Sequence, residues 1–489
     1  MKNLKYNILI IFSALLLVNC SKDLGNYDYK DVNTISISNV LEGDHNTERI
    51  YNLAFGDTLK IEPKIEGTIS GTDQSNLGFE WNVDQEQVGT TNKFDYIADK
   101  GYGRKQGEFI VTDKQTGIKT TYNFLINVTN PYKLGYYVLS KNAANEAILY
   151  CQSTIKTTGK YESVLLPNIN LGKNPLTIGG SRKYGNSSTD YYNNLTIAVQ
   201  HANYPVIMID SREFLPQLLY NSQSYVGGDE NFVFAPTEAV VDLYNPVVYT
   251  VNNGKIHVLQ KGAIGLPALR NDPKDYKAGL KSIVHPYSNA AYFFSFYDEK
   301  NKTMRLVDHA MKGVSYDYTI SYDDITKPSI FANQTFVTGR QASISSKIKM
   351  VYLMRDGNRL FSYMVNYSDS NIPSSMDKIA EGVIPGDGII RSAVYDQSNN
   401  FWYIATSKAI YRASYLGLEF QEFIKLPVSE KGNISAFKMG NAKLMVGTFD
   451  PSFPGEKKSS VYIYNLDTKV LENQKVNVVE EIVDMHPGI

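Results

Sequence analysis

The feature that most constrains the fold is a pattern of three short apolar runs that recurs along most of the chain. Its clearest copy is Glu238–Gln260, in which an Asn-Pro turn and an Asn-Asn-Gly turn separate the runs. Short apolar runs with tight turns between them predict three consecutive antiparallel strands. Looser copies align on one apolar position of their first strand, at Val199, Val241, Val284, Ile344, Val394, Phe437 and Val483.

The spacing of these copies predicts a β-propeller. Consecutive aligned positions lie 42 to 60 residues apart, which is typical of a four-stranded blade and not of a helical repeat. One blade cannot bury both of its faces, so blades stack around an axis and each sheet covers the next. We therefore expect a propeller over residues 132–489.

The two ends of this region predict how the ring closes. Gly135–Lys141 reads as a strand that no first-strand pattern precedes, and the C-terminal Glu481–Pro487 resembles Glu238–Pro246. We expect the C-terminal strand to be the innermost strand of the blade begun at Gly135, which closes the ring within one sheet. Seven blades are predicted: one from Lys133 to about Leu195 plus the C-terminal strand, then six starting near Leu195, Glu238, Lys281, Gln341, Arg391 and Ile434.

Residues 34–131 predict a separate sandwich of β-strands. Alternation of apolar and polar residues indicates strands at Leu59–Pro63, Leu77–Val83, Glu108–Thr112 and Tyr122–Val128. Asp113–Gly117 predicts a hairpin turn, Trp81 is the expected core anchor, and Gly101–Gly107 is expected to be a loop. Several short strands in about 95 residues are typical of an immunoglobulin-like sandwich. Since 36 Tyr, 21 Phe and 43% hydrophobic residues also suit strands, the whole chain is predicted to be all-β.

The first residues predict export followed by lipid anchoring. Lys2 and Lys5 precede an apolar run from Ile8 to Val18, which is the layout of a secretory signal. Leu17–Cys20 resembles a bacterial lipobox, which implies that residues 1–20 are a signal peptide and that Cys20 is acylated. Residues 21–33 are polar and predict a tether. Acyl chains on Cys20 would hold the protein to a membrane.

A wider resemblance covers the first 130 residues. Phe79-Glu-Trp81, the Gly-x-Phe strand and the Asp-x-x-Thr-Gly turn that follow it are similar to PKD-type domains. Together with Cys20–Tyr29 they resemble the PKD-like lipoproteins of Bacteroidota. The resemblance implies an outer-membrane protein, exposed at the cell surface, that accompanies SusC/SusD-type nutrient importers. It implies no catalytic residue.

Composition and motifs exclude several classes of function. Lys and Arg number 49 against 50 Asp and Glu, so the chain lacks the charge excess that nucleic-acid binding requires. The six His residues are scattered, no metal-binding spacing occurs, and no phosphate loop or Gly-x-Ser-x-Gly elbow is present. We therefore expect neither metal nor cofactor. Cys151 is expected to be a buried thiol, and Asp396, Asn400 and Trp402 are expected to shape a turn.

Ligand-binding residues are predicted from propeller geometry, since the loops that enter the innermost strands open on one rim of the channel. The residues before those strands are of mixed charge and could orient a polar ligand: Glu238, Lys281, Arg340, Gln341, Arg391, Asn433 and Glu480. An insert at residues 179–194 adds Tyr184, Tyr191 and Tyr192, and exposed tyrosines stack on sugars or pack on peptides.

These observations leave three functions open. The first is a non-catalytic lipoprotein that binds oligosaccharide or peptide for the importer. The second is a propeller enzyme, a glycoside hydrolase or polysaccharide lyase, because different blades could contribute paired carboxylates. The third is a structural subunit that docks on the transporter.

Overall fold

The computed structural model covers the chain as two units, Met1–Thr129 and Asn130–Ile489. The structure describes residues 31–40, 50–133, 135–154, 158–164, 166, 169–181, 194–210, 214–224, 232–241, 247–260, 275–284, 293–308, 319–320, 331, 333–344, 347–367, 373–440 and 442–488. Apart from one 3-10 turn at Ser222–Ser224, the regular structure of these residues is β-strand. None of the described segments forms a helix long and apolar enough to cross a bilayer.

The described part of the first unit forms three small sheets. Its strands are β1 (Ile35–Ser38), β2 (Tyr51–Ala54), β3 (Thr58–Ile61), β4 (Lys64–Gly67), β5 (Leu77–Val83), β6 (Glu86–Gly89), β7 (Phe94–Ile97), β8 (Gly103–Asp113) and β9 (Lys119–Thr129). The main sheet has the order β2-β9-β8-β5-β6, and the pairs β1-β4 and β3-β7 complete the unit. All four predicted strands lie in this set.

Trp81 is the centre of this unit's core, as the sequence predicts. Its side chain is fully buried, and its ring lies 3.8 Å from that of Phe109 and 4.6 Å from that of Phe94, measured between centroids. The indole Nε1 donates to the carbonyl of Thr91 at 2.8 Å, so the one polar atom of the side chain is satisfied. Trp81 therefore has a structural role in the core of this unit.

The predicted hairpin between β8 and β9 is confirmed. The Asp113 carboxylate accepts hydrogen bonds from the backbone N–H groups of Gln115 and Thr116, at 2.8 and 3.2 Å. Gly117 has a φ of 76°, a conformation that glycine adopts without strain. The expected loop at Gly101–Gly107 is wrong, because β8 already begins at Gly103 and pairs with β9 from there.

The described part of the second unit forms seven sheets, numbered here I to VII. Sheet I contains β10 (Gly135–Lys141), β11 (Ala147–Ser153), β12 (Tyr161–Ser163) and β36 (Glu481–His486); sheet II contains β13 (Lys173–Ser181), β14 (Asn194–His201), β15 (Val206–Asp210) and β16 (Pro216–Tyr220). Sheet III contains β17 (Glu238–Val241), β18 (Val247–Asn252) and β19 (Lys255–Gln260); sheet IV contains β20 (Ala278–Val284), β21 (Phe293–Asp298), β22 (Thr303–Asp308) and β23 (Thr319–Ile320).

The remaining three sheets follow in chain order. Sheet V contains β24 (Thr335–Ile344), β25 (Lys347–Asp356), β26 (Arg359–Tyr367) and β27 (Pro373–Val383). Sheet VI contains β28 (Ser392–Asp396), β29 (Phe401–Ala405), β30 (Ala409–Ser414) and β31 (Gly417–Lys425); sheet VII contains β32 (Asn433–Gly440), β33 (Lys443–Phe449), β34 (Ser459–Asn465) and β35 (Leu471–Val479). All neighbouring strands in these sheets are antiparallel.

Sheet I joins the two ends of this unit. The C-terminal strand β36 pairs with β10, with Tyr137 opposite His486 and Lys141 opposite Glu481. The register shifts between Leu139 and Ser140, which leaves Val483 in a bulge. Because β36 is the edge neighbour of β10, it takes the position that β13, β17, β20, β24, β28 and β32 have in the other sheets.

The edge strands in this position follow one another in a cycle. Each contacts its counterpart in the next sheet, in the order β36, β13, β17, β20, β24, β28, β32 and back to β36. We call these seven strands the innermost strands. This order is propeller-like, since it brings one edge of every sheet to a common centre.

The core of the second unit lies between adjacent sheets. One cluster joins sheets VI and VII through residues such as Tyr403 and Leu444, and another joins sheets V and VI around Trp402 and Val351. Middle strands such as β25, buried on both faces, are continuously apolar from Met350 to Met354. Each large apolar side chain buried in this way contributes about 1.5–3 kcal/mol to folding.

The structure corrects the predicted start of the second blade. The innermost strand of sheet II is β13, whereas Leu195 and Val199 lie in β14, the next strand outward. The first sheet consequently ends at β12, well before Leu195. Pro175, Gly179 and Gly180 interrupt the apolar pattern of β13, so the sequence does not read as a strand there.

The three strands predicted from the Glu238–Gln260 pattern are confirmed as β17, β18 and β19, with Asn253 and Gly254 at positive φ in the second turn. Cys151 is a buried thiol, as expected. Asp396 accepts from the N–H of Ser398 at 3.0 Å, and the Tyr395 hydroxyl donates to Asn400 at 2.9 Å. The turn function predicted for this segment is therefore confirmed.

Candidate functional site

The innermost strands surround a cavity of about 660 Å³. All seven of these strands contribute to its wall, and Arg355 of β25 adds one residue from a second strand. The cavity lies toward the N-terminal ends of the innermost strands, since Thr237, Thr335 and Arg391 line it at or just before their first residues. Its volume is in the range of sites that bind small molecules.

A second cavity of about 320 Å³ lies toward the C-terminal ends of the same strands. Gly440, His486 and Pro487 line it but do not line the first cavity. Apolar residues line both cavities and mark the waist between them: Ile178, Val240, Val241, Ile283 and Val394. Burial lowers the pKa of His486 to about 4, so this imidazole is neutral at physiological pH.

Glu238 lies in the wall of the larger cavity and is buried. Its carboxylate accepts hydrogen bonds from the N–H groups of Ser282 and Ile283, at 2.9 and 3.2 Å, and from the Ser282 hydroxyl at 3.1 Å. Burial raises the pKa of Glu238 to about 7, although these donors and the nearby Lys281 act in the opposite direction. Glu238 thus connects β17 to β20.

The segment of β20 that Glu238 holds is a bulge. Pairing with β21 is interrupted between Ala278 and Ile283, and Lys281 within this interval has a φ of 56°. A lysine is seldom found in the left-handed region, and such strain persists only where surrounding contacts impose it. The bulge leaves Leu280 68% exposed and Lys281 exposed, and both line the larger cavity.

Asp484 performs a similar connecting role in another part of the wall. Its Oδ2 accepts from the Thr177 hydroxyl at 2.6 Å and from the N–H of Ile178 at 3.1 Å. Its Oδ1 lies 3.2 Å from the Lys438 Nζ. The carboxylate of β36 is therefore bonded to β13 and β32, its two neighbours in the cycle.

Two arginines line the same cavity without an ion pair among the described residues. Arg391 donates its backbone N–H to Ala405 at 2.9 Å, and its side chain is exposed with Nη2 3.5 Å from the Ser407 hydroxyl. The Arg355 Nε donates to the carbonyl of Gly357 at 2.8 Å, and this bond fixes the direction of the side chain. The guanidinium groups can therefore donate hydrogen bonds to a carboxylate or another anion.

The structure brings only some of the predicted rim residues together. Glu238, Lys281 and Arg391 line the larger cavity, whereas Arg340 lines the smaller one. Gln341 is buried and Asn433 begins β32, and neither lines these two cavities. Glu480 accepts from the hydroxyls of Tyr150 and Ser140. Cys20, Tyr184, Tyr191 and Tyr192 lie outside the described residues.

The sequence alignment misplaced Arg340 because β24 is longer than the repeat suggested. The strand begins at Thr335, so the residues that line the larger cavity are Thr335 to Thr338 and Arg340 lies further along the channel. Arg355 was missed for a different reason. It belongs to β25 and reaches the cavity because it pairs with Thr335, a register that the sequence pattern does not specify.

Two sequence comparisons bear on the class of protein. Residues 20–169 match the PKD-like family, a segment that includes the first unit and extends into sheet I. No characterised protein has significant sequence similarity to the chain. The chain is thus an all-β protein with a PKD-like N-terminal region and a propeller-like second unit.

Solved structures with a similar arrangement include a quinoprotein alcohol dehydrogenase-like protein from Bacteroides thetaiotaomicron. It is 14% identical, with a TM-score of 0.46, and the match covers 91% of this chain and 97% of that one. AztD from Citrobacter koseri is 11% identical, with a TM-score of 0.36 over 84% of this chain and 99% of its own. At this level of similarity neither structure defines what this chain does.

Proposed function

We propose that the protein is a non-catalytic, surface-exposed lipoprotein of the outer membrane that binds oligosaccharide or peptide for a SusC/SusD-type importer. In this proposal the second unit is a seven-bladed propeller, closed by the C-terminal strand, and its channel holds the ligand. The observation that carries the proposal is the cavity of about 660 Å³ to which all seven innermost strands contribute. A wall built from every sheet gives a ligand many fixed polar groups at once.

The cyclic order of contacts between the innermost strands supports the closed ring. Pairing of β36 with β10 supports it further, since it combines residues from both ends of the unit in one sheet. We expect a ring held in this way to be rigid, and a rigid site loses little conformational entropy when it binds a ligand.

The carboxylates of the cavity favour binding over catalysis. A glycosidase needs one carboxyl to protonate the leaving group and another to act as base or nucleophile. The described acids that line the cavity, Glu238 and Asp484, both hold neighbouring strands together through hydrogen bonds. Asp484 is also paired with Lys438. A substrate would have to displace these structural partners before either carboxylate could act on it.

The N-terminal part of the chain supports the proposed lipid anchor and the proposed association with an importer. Residues 1–20 have the order of a basic start, an apolar run and a cysteine, which suits export and acylation at Cys20. The PKD-like match of residues 20–169 is consistent with the accessory role that the resemblance to Bacteroidota lipoproteins implies.

Calorimetry combined with product analysis tests this proposal. The full chain, purified in detergent, is titrated with a panel of oligosaccharides and peptides, and each mixture is then assayed for cleavage. We expect saturable binding of at least one ligand without product. Cleavage of any bound ligand would contradict a non-catalytic function, and absence of binding across the panel would contradict a capture function.

A pair of variants ties binding to the cavity. Thr335→Trp adds a large side chain to the cavity wall and should weaken binding at least about tenfold by occupying ligand space. Thr468→Trp makes the same change at an exposed turn between β34 and β35 and should leave affinity unchanged. Equal affinities for the two variants would remove the cavity from consideration.

A further inference from the structure

Three consecutive sheets contribute similar pairs of side chains to the larger cavity. Sheets IV, V and VI are neighbours in the cycle, and each supplies one cationic residue and at least one apolar residue close to it to the cavity wall. The pairs are Leu280 with Lys281, Phe336 with Arg355, and Ile390 with Arg391. We call these six residues the basic arc.

The three cations of the basic arc have no ion-pair partner among the described residues. The described residues place no carboxylate oxygen within 4.0 Å of the side-chain nitrogens of Lys281, Arg355 or Arg391. The two acids of the cavity are already engaged, Glu238 by β20 and Asp484 by β13 and Lys438. Three cations in a partly enclosed space produce a local positive potential that attracts anions.

The apolar members of the arc are close to the cations along the chain or across the strand pair. Leu280 and Lys281 are adjacent in the β20 bulge, where the strained φ of Lys281 is maintained by the hydrogen bonds to Glu238. Phe336 lies next to Thr335, the pairing partner of Arg355, and Ile390 directly precedes Arg391. Each sheet therefore brings at least one apolar residue and one cation to the same cavity wall.

From this arrangement we infer that the cavity binds an oligosaccharide whose sugar rings carry carboxylate groups. The inference rests on the proposed ligand-binding function and names its substrate class. In such a chain every unit has an apolar C–H face and one anion, which corresponds to the pair that each sheet provides. An acidic peptide fits less well, because successive side chains of an extended peptide point to opposite sides.

The test compares matched charged and neutral ligands. The full chain in detergent is titrated by calorimetry with short oligogalacturonates and oligomannuronates, and with the same oligosaccharides after reduction of their carboxyl groups to alcohols. We expect the acidic forms to bind at least about tenfold more tightly than the neutral forms. Raising the salt concentration should weaken only the acidic forms, because salt screens exposed charges.

Three variants test which residues make the affinity depend on the charge of the ligand. Lys281→Gln and Arg391→Gln should each weaken binding of the acidic ligands about tenfold and leave the neutral ligands unaffected. Lys425→Gln, which removes an exposed charge from the outer strand β31, should change neither. Equal effects of all three variants would overturn the basic arc as the binding site.

The remaining outcomes separate this inference from the proposed function. If neutral oligosaccharides bind as tightly as acidic ones, the inference is wrong and the capture function stands. Tighter binding of an acidic peptide such as oligoglutamate would also overturn the inference while leaving capture intact. If neither oligosaccharides nor peptides bind, the proposed function fails and the inference fails with it.

Discussion

At the scale of single residues, Glu238 both lines the cavity and stabilises the neighbouring strand β20. The sequence places it at the start of an innermost strand, and the structure adds that its carboxylate is buried and holds the β20 bulge that presents Lys281. This role could not be predicted, because the donors are 44 and 45 residues away and become available only when β20 departs from regular pairing. The burial of Trp81 could be predicted, since a large aromatic residue on a strand with alternating apolar and polar residues usually packs in the core.

Replacement of Glu238 should change the pH dependence of unfolding. Burial raises the pKa of this carboxyl from 4.5 to about 7, so the folded chain retains a proton that the unfolded chain has lost between these pH values. The resulting stabilisation, about 3 kcal/mol, is complete below the unfolded pKa and is lost as the pH rises through the folded pKa. The Tm of the wild type should therefore fall relative to Glu238→Gln between about pH 5 and pH 8.

Thermal scans at a series of pH values measure this difference. Gln at position 238 has the shape of the protonated acid and does not titrate, so the difference isolates one group. Glu456→Gln removes an exposed carboxylate of the same unit, and its Tm should vary with pH as that of the wild type does. A constant offset between the wild type and Glu238→Gln across this range would refute the raised pKa.

At the scale of elements, strands with a strong local pattern could be predicted and those shaped by neighbours could not. Sheet III could be predicted from its apolar runs and its Asn-Gly turn. In β13, Gly179 and Gly180 are required because a Cβ would lie 2.9 Å from Val241 and 2.6 Å from the His486 Nε2. These close approaches come from sheets III and I, so the sequence of β13 alone looks unlike a strand.

Removal of β36 should destabilise the second unit strongly. A chain that ends at Val479 loses the pairing with β10, the bonds of Asp484 to β13 and the buried side chains of Ile482 and Met485. Loss of two buried apolar side chains alone costs at least about 4 kcal/mol. We expect a clear fall in Tm by calorimetry, whereas a chain lacking only Ile489 should melt like the wild type. Indistinguishable melting of the two chains would mean that β36 contributes little to the unit.

At the scale of the whole molecule, the distribution of charge matters more than its total. The chain is almost neutral, with 49 basic and 50 acidic residues, and its composition gives no reason to expect nucleic-acid binding. Composition could not reveal the basic arc, because Lys281, Arg355 and Arg391 are far apart in sequence and meet only around the cavity. Local charge therefore depends on the strand order of the fold.

Attachment of the whole chain to the membrane through acylated Cys20 is a further prediction. Cys20→Ala should abolish incorporation of labelled palmitate and shift the protein from the membrane fraction to the soluble fraction, because each buried CH₂ contributes about 0.8 kcal/mol to membrane attachment. Cys151→Ala is the matched control, since Cys151 is buried in β11, and should leave labelling unchanged. Persistent labelling of Cys20→Ala would show that acylation occurs elsewhere.

The shared sheet at the two ends of the second unit also has a consequence for biosynthesis. β10 emerges from the ribosome, and from any export channel, more than 300 residues before its partner β36. Until then one edge of β10 has unpaired backbone groups that can pair with other chains. Completion of the unit therefore has to wait for the last residues to arrive, and chaperones that cover exposed strand edges would act on this protein late in its synthesis or transport.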